Sequence, residues 1–286
     1  MNAKLQSKVY RLNAKLQSKV YRFAAYAGAF FSVSVLIMIV GYILIKGIPH
    51  LSLELFAWEY NSNNVSMMPS IINTLMMTLI SLSVCVPLGI GAAIYLTEYA
   101  KRGSRLVKLV RMTAETLSGI PSIIYGLFGS LFFVVALDMG LSLISGALTL
   151  SIMVLPTIMR TTEEALLAVP DSYREGSFGL GAGRLRTTFK VVLPSAVPGI
   201  LSGVILAVGR IVGETAALIY TAGTVAQIPD SLFDSTRTLA VHMYTISTEG
   251  LYIDQSYATA VVLLVVVLGI NAFSSFVAKK IGRSNT

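Results

Sequence analysis

The chain has 286 residues, 55% of them hydrophobic and only 13% charged, with a formal net charge of +8 and a mean hydropathy of +0.74. This is too apolar and too sparsely charged for an ordinary soluble domain, so the chain reads as an integral membrane protein whose basic residues mark topology, not a nucleic-acid surface. A single cysteine, Cys85, excludes an intrachain disulfide, and there is no G-x-x-x-x-G-K-[ST] loop, H-E-x-x-H pair or C-x-x-C pair to signal an enzyme.

Residues 1–22 form a basic tail in which "NAKLQSKVYR" occurs at 2–11 and again at 13–22. So short a tandem copy is a recent duplication or an artefact, not a solenoid repeat, and no function is assigned to it. The transmembrane region, 23–286, follows. A span needs about 20 apolar residues to cross roughly 30 Å of hydrocarbon. Six segments meet this, near 23–45, 70–96, 116–137, 141–159, 197–219 and 257–278. The first is too long for a signal-peptide core and lacks a small-residue cleavage site, so it is read as a retained helix. The expected fold is an all-α integral membrane bundle of six transmembrane helices.

Sorting the 22 basic residues fixes the expected orientation. The tail, the second-to-third connection (Lys101, Arg102, Arg105, Lys108, Arg111), the fourth-to-fifth connection and the C-terminal end hold nearly all of them. The opposite side holds only Lys46 and Arg237, and Arg210 lies inside a span. By the positive-inside rule both termini are cytoplasmic. On the external side, Trp58 in "FAWEY" reads as an interfacial anchor, and His50 and His242 stand alone.

The fourth-to-fifth connection contains "EGSFGLGAGRLRTTFKVVLP", whose alternating Gly179, Gly181 and Gly183 suggest a phosphate loop. No strand leads into them and the connection is too short for a nucleotide-binding βαβ unit. A helix fits better: Pro170 precedes it, Ser172 and Glu175 have capping-box spacing, the glycines end it, and Gly176 and Ser177 give it a surface for close approach.

Polar residues within apolar runs are costly and mark function. In "VGRIVGETAALIYTAGT", Arg210 and Glu214 are four apart, which in a continuous helix puts them on one face, either as an ion pair or as the lining of a polar pathway. Arg160 ends the predicted fourth span, followed by Glu163 and Glu164, and can equally be a snorkelling end residue. The guanidinium fork matches the oxygens of phosphate or sulfate, while a neighbouring glutamate either neutralises the empty site or, protonated, donates to the anion.

At these residues the chain resembles the membrane-spanning subunits of type I ABC importers. Their cytoplasmic signature, E-A-A, three residues, G, nine residues, I-x-L-P, is met by Glu175, Gly176, Ser177, Gly181, Val191, Leu193 and Pro194 in register, with both alanines and the isoleucine replaced. "IINTLMMTL", "SGIPSIIYGLFG", "GRIVGETAALIYTAG" and "TLAVHMY" further resemble the phosphate-specific branch, over a permease core at 68–278. The resemblance implies that segment 171–194 is the coupling element gripped by an ATPase. It also implies that Arg160, Glu163, Arg210 and Glu214 line the substrate pathway. The implied assembly, in a bacterial plasma membrane, contains a homologous second permease, two ATPase subunits and an extracytoplasmic phosphate-binding protein. This chain itself would bind no cofactor, ATP and Mg²⁺ being used by the ATPase. A permease for sulfate or molybdate is the alternative, and a stand-alone anion channel or symporter a more distant one.

Overall fold

A computed structural model describes residues 3–101 and 103–283. Arg102, one of the basic residues used for orientation, and Asn2, the first of the tandem repeat, lie outside the described residues. Regular structure among those described is entirely helical.

Helix α1 (Ala3–Gly47) runs unbroken from the basic tail through the first span. α2 (Met68–Ile94) follows a segment with two 3-10 turns and continues through a π turn to Tyr99. α3 (Arg105–Ser118) and α4 (Ser122–Gly129), the latter extended by a π segment to Ala136, meet at a bend of 103°. The third predicted span, 116–137, is therefore not one straight helix: Pro121 has no N–H to donate and disfavours helix at Ile120, and Gly119 closes α3. Among the described residues five helices are long and apolar enough to cross a membrane, and this bent pair would make a sixth.

α5 (Leu143–Leu167) extends eight residues past the predicted end of the fourth span, because nothing in Arg160-Thr-Thr-Glu-Glu stops a helix. Its end comes just before Pro170. Then come α6 (Asp171–Gly179), the short α7 (Arg184–Thr187), a π turn and α8 (Leu193–Val212); from Arg184 to Val212 the chain is one apolar rod. The fifth predicted span, 197–219, thus starts earlier and is interrupted at Gly213–Thr215 before α9 (Ala216–Thr221). α10 (Leu239–Glu249) is short and external to the spans; α11 (Ile253–Arg283) is the last helix.

Lipid is as apolar as leucine, so helix association here depends on close packing and hydrogen bonds instead of water exclusion. α2, α5 and α8 form the centre, around Met77, Leu150, Met153, Ile158 and Ile211. On α2 and α5, Ser81 Oγ donates to the Ala147 carbonyl (3.2 Å) and Ser151 Oγ to the Ser81 carbonyl (3.1 Å), so each hydroxyl is satisfied across the interface. Gly203 of α8 lies directly against Thr161 of α5, and Gly126 of α4 against the Ala217 backbone of α9, close approaches that a Cβ would prevent. A second cluster at one end joins Leu166, Val169, Val192 and Ile200 near α6, and a third at the other end joins Leu55, Met67 and Leu239. α1 stands outside this bundle, touching α11 through Gly47 and an edge-to-face Tyr42–Tyr257 pair, with its apolar stretch left to lipid.

Candidate functional site

The connection between α5 and α8 is built around an arginine. α6 begins directly after Pro170, which takes the N-cap position, and no side chain caps it. The expected Ser172–Glu175 capping box is not formed, because the proline starts the helix early enough to place Ser172 inside its first turn. Arg174 holds the segment instead. Its Nη2 and Nε donate to Glu98 Oε1 at 2.7 and 3.2 Å, and Nη1 and Nη2 donate to the carbonyls of Val169 (2.8 Å) and Leu166 (2.9 Å). Glu98 is buried in the π turn that ends α2, so α6 is tied at once to α2 and to the end of α5.

Of the three glycines expected to stop α6, only Gly181 has the left-handed conformation, φ +83°, that demands glycine. There the Gly181 and Ala182 amides donate back to the carbonyls of Phe178 (2.9 Å) and Ser177 (3.1 Å). Glu175 and Gly176 are exposed, Ser177 is half-buried with its hydroxyl 2.8 Å from that of Thr187, and Leu193 and Pro194 open α8 half-buried. No residue of α6 is buried. Around it Tyr173, Phe178, Leu180 and Leu185 are exposed, Leu180 to 91%.

The intramembrane charges are arranged differently from their spacing. Arg210 is in the last turn of α8, whereas Glu214 lies beyond the break at Gly213, so the two do not share a helical face. Buried Glu214 accepts from the Ala217 amide (3.1 Å) and caps α9. Arg210 enters no ion pair among the described residues. It lines a cavity of about 510 Å³ with Thr157 of α5, Ser202 and Gly209 of α8, and Asn271 of α11.

Arg160 is not at a helix end; it lies within α5 and pairs with exposed Glu164 (Nε to Oε1, 3.2 Å). Buried Glu163 pairs across the bundle with Arg111 of α3. Arg160, Glu163, Arg111 and Glu115 line a second cavity of about 270 Å³. Thr157 and Arg160 are three apart on α5 and so lie on one helical face, placing the two cavities in succession along that face. Sequence reasoning missed Arg111 as the partner of Glu163 and Arg174 as the anchor of α6, both counted only as loop charge. It also missed Arg237, 4% exposed, whose guanidinium sits 4.7 Å over the Tyr60 ring at the opposite end of the bundle.

A helical bundle with one bent span, one interrupted span and an exposed, arginine-anchored helix between spans defines a multi-pass membrane protein. The family model of the binding-protein-dependent transport system inner membrane component matches residues 85–284, and the chain belongs to that family. It is 34% identical over 236 residues to the probable ABC transporter permease protein YqgI of Bacillus subtilis, covering 77% of this chain and 80% of that one. It is 33% identical over 205 residues to the phosphate transport system permease protein PstA of Mycobacterium leprae, covering 71% and 67%. In fold it is similar to a chain of the bacterial alginate ABC transporter crystallised with its alginate-bound periplasmic protein, with a TM-score of 0.63, 17% identity and coverage of 88% and 95%. The chain is a multi-pass membrane permease subunit of an ABC importer.

Proposed function

We propose that this chain is one permease subunit of an ATP-driven inorganic phosphate importer, forming half of the translocation pathway with a homologous second permease. In this reading both termini are cytoplasmic in a bacterial inner membrane. Two ATPase subunits supply ATP and Mg²⁺ chemistry, the chain itself holding no cofactor, and an extracytoplasmic phosphate-binding protein delivers the anion. The 171–194 segment is the coupling element: its exposed apolar residues dock in the ATPase, and the Arg174–Glu98 tie passes the movement to α2 and α5.

The observation that carries the substrate reading is Arg210, a guanidinium without a carboxylate, beside a cavity lined by Thr157, Ser202 and Asn271. Those hydroxyl and amide groups both donate and accept, which suits HPO4 2− better than a fully deprotonated oxyanion. Arg160 and Glu163, farther along α5, form a second station, with Arg111 holding Glu163 in place. Glu214 contributes by fixing the break beside Arg210.

The test is ATP-dependent uptake of labelled phosphate and sulfate by the reconstituted importer. Phosphate uptake that is lost in Arg210→Gln and reduced in Arg160→Gln, with assembly intact, is the expected result. Sulfate carried in preference to phosphate, or uptake unchanged in both variants, rejects the reading.

A further inference from the structure

The bundle end opposite the coupling segment holds a cavity of about 580 Å³ between the 58–69 and 224–237 segments, lined by Trp58, Glu59, Tyr60, Thr224, Gln227 and Arg237. Arg237 is its unusual member. The residue is 4% exposed, and its Nε and Nη2 are buried with no hydrogen-bond acceptor. The Tyr60 ring covers the guanidinium face at 4.7 Å. The Tyr60 side chain favours the charged form, but a π face offers nothing to in-plane N–H donors, and Nε and Nη2 stay unfilled. No carboxylate lies within ion-pair distance of it among the described residues: Glu249 favours its charge only from farther off, and Glu59, the one acid of the lining, is exposed.

The surroundings hold this arginine rigidly. Asn73 Nδ2 donates to the carbonyls of Gln227 (2.8 Å) and Arg237 (3.2 Å), joining both to α2. Tyr60 is presented by a loop in which Asn61 and Asn64 accept from the amides of Asn63, Asn64, Asn61 and Ser66 at 2.9–3.0 Å. His242, fully buried and edge-on to Tyr60, is held neutral by burial and by the Arg237 charge, so it adds no second cation. A buried, immobilised charge with unfilled donors is costly in the empty protein. The cost is removed when an oxyanion occupies the fork.

We propose that this cavity is a receiving site for a free tetrahedral oxyanion, phosphate in the reading above, with Arg237 as its binding residue, upstream of Arg210. The proposal rests on that reading for the identity of the anion and for the external placement of the cavity. It assigns the transport path a first station outside the bilayer core, before the substrate meets the pathway arginines.

Trp58 is the only tryptophan of the chain and lines the cavity, so its emission reports on the site directly. The full chain in phosphatidylcholine nanodiscs is titrated with inorganic phosphate, with chloride at matched ionic strength as control. The expected result is a saturable change for phosphate alone, with half-saturation weakened about tenfold or more in Arg237→Gln, as loss of a charge-assisted hydrogen bond predicts, and less in Arg237→Lys. Arg210→Gln keeps the Trp58 response although uptake fails.

A wild-type response equal for phosphate and chloride overturns the site whether or not Arg237→Gln folds. So does a phosphate response unaltered in a folded Arg237→Gln. A response produced by phosphatidylglycerol nanodiscs without phosphate, to which phosphate adds nothing, assigns the fork to lipid headgroups and also overturns it. An importer that carries sulfate, with Trp58 responding to sulfate, supports the site while rejecting phosphate as cargo. Phosphate uptake with Trp58 silent rejects the site and leaves the cargo reading intact.

Discussion

Two largely buried arginines stand at opposite ends of this bundle, and their surroundings differ in kind. Arg174 spends its donors on the buried Glu98 carboxylate, the exposed Asp171 carboxylate and two carbonyls, leaving none of its nitrogens among the buried unpartnered groups. Arg237 is as rigidly placed, yet two of its nitrogens meet no acceptor. The first arrangement is closed and therefore mechanical: every bond joins two parts of the chain. The second is open, and an oxyanion in the adjacent cavity would complete it. Burial alone, which the two share, does not separate structural from binding roles; the count of filled donors does.

The largest effect is expected from removing Arg174. Arg174→Gln leaves the buried Glu98 carboxylate without its cation, and breaking one partner of such a pair costs about 3 kcal/mol or more. The side chains are 16% and 9% exposed, so solvent screening offsets little of this. Thermal unfolding should show the full loss, and ATP-driven uptake should fall further than stability explains because α6 is no longer tied to α2. The double variant with Glu98→Gln recovers most of the stability but not the coupling. Equal loss in single and double variants would show the pair to be incidental.

The open end makes a pH prediction. Burial, with the neighbouring Arg237 charge, pushes the His242 pKa from 6.5 down to about 3. Below pH 6.5 the unfolded chain therefore takes up a proton that the folded chain refuses, and stability falls as pH drops, by up to about 1.4 kcal/mol per pH unit. Between pH 7.5 and 5.5 this is a loss of roughly 1.4 kcal/mol. His242→Phe should flatten that dependence, while a slope that persists unchanged places its origin elsewhere.

The same contrast separates what was legible in the sequence from what was not. Hydropathy located every long helix, because about 20 apolar residues in a row have few other solutions. It averaged across the two breaks, although Gly119-Ile120-Pro121 and Gly213-Glu214-Thr215 spell them in letters that stop one helix and start another. Arg160, Glu163 and Arg210 stood out as charges in or beside apolar runs, but Arg111, the partner of Glu163, did not, nor did the Arg174–Glu98 pair. Arg111 and Glu98 come from distant parts of the chain, and only the packing of α3 and α2 against α5 and α6 brings them in. Arg237 looked like an ordinary external loop residue, since its burial is produced by Tyr60 and Asn73, which sequence spacing does not connect to it.

Gly181 tests the coupling end more gently. Nothing lies within 4 Å of a Cβ added there, so Gly181→Ala is opposed by its φ of +83° alone. The expected cost is about 1 kcal/mol, with part of it recovered in Gly181→Asn, whose short polar side chain tolerates this region. Gly181→Asp adds a charge to the exposed apolar surface and should weaken ATPase co-purification while the permease still inserts; undiminished co-purification and uptake would remove this turn from the docking surface.

The smallest expected effect is the most telling. Arg237→Gln gives up the stacking on Tyr60, worth about 1–2 kcal/mol when desolvated, but it also relieves a buried charge whose donors are unfilled, a penalty of similar size. The two nearly cancel, so thermal stability in the absence of phosphate should change by less than about 1 kcal/mol. Saturating phosphate should then stabilise the wild-type chain but not the variant, because a ligand stabilises only the state that binds it. A large loss of stability without phosphate would mean that Arg237 is another Arg174, a clamp whose partner is the aromatic ring, and not an open binding arginine.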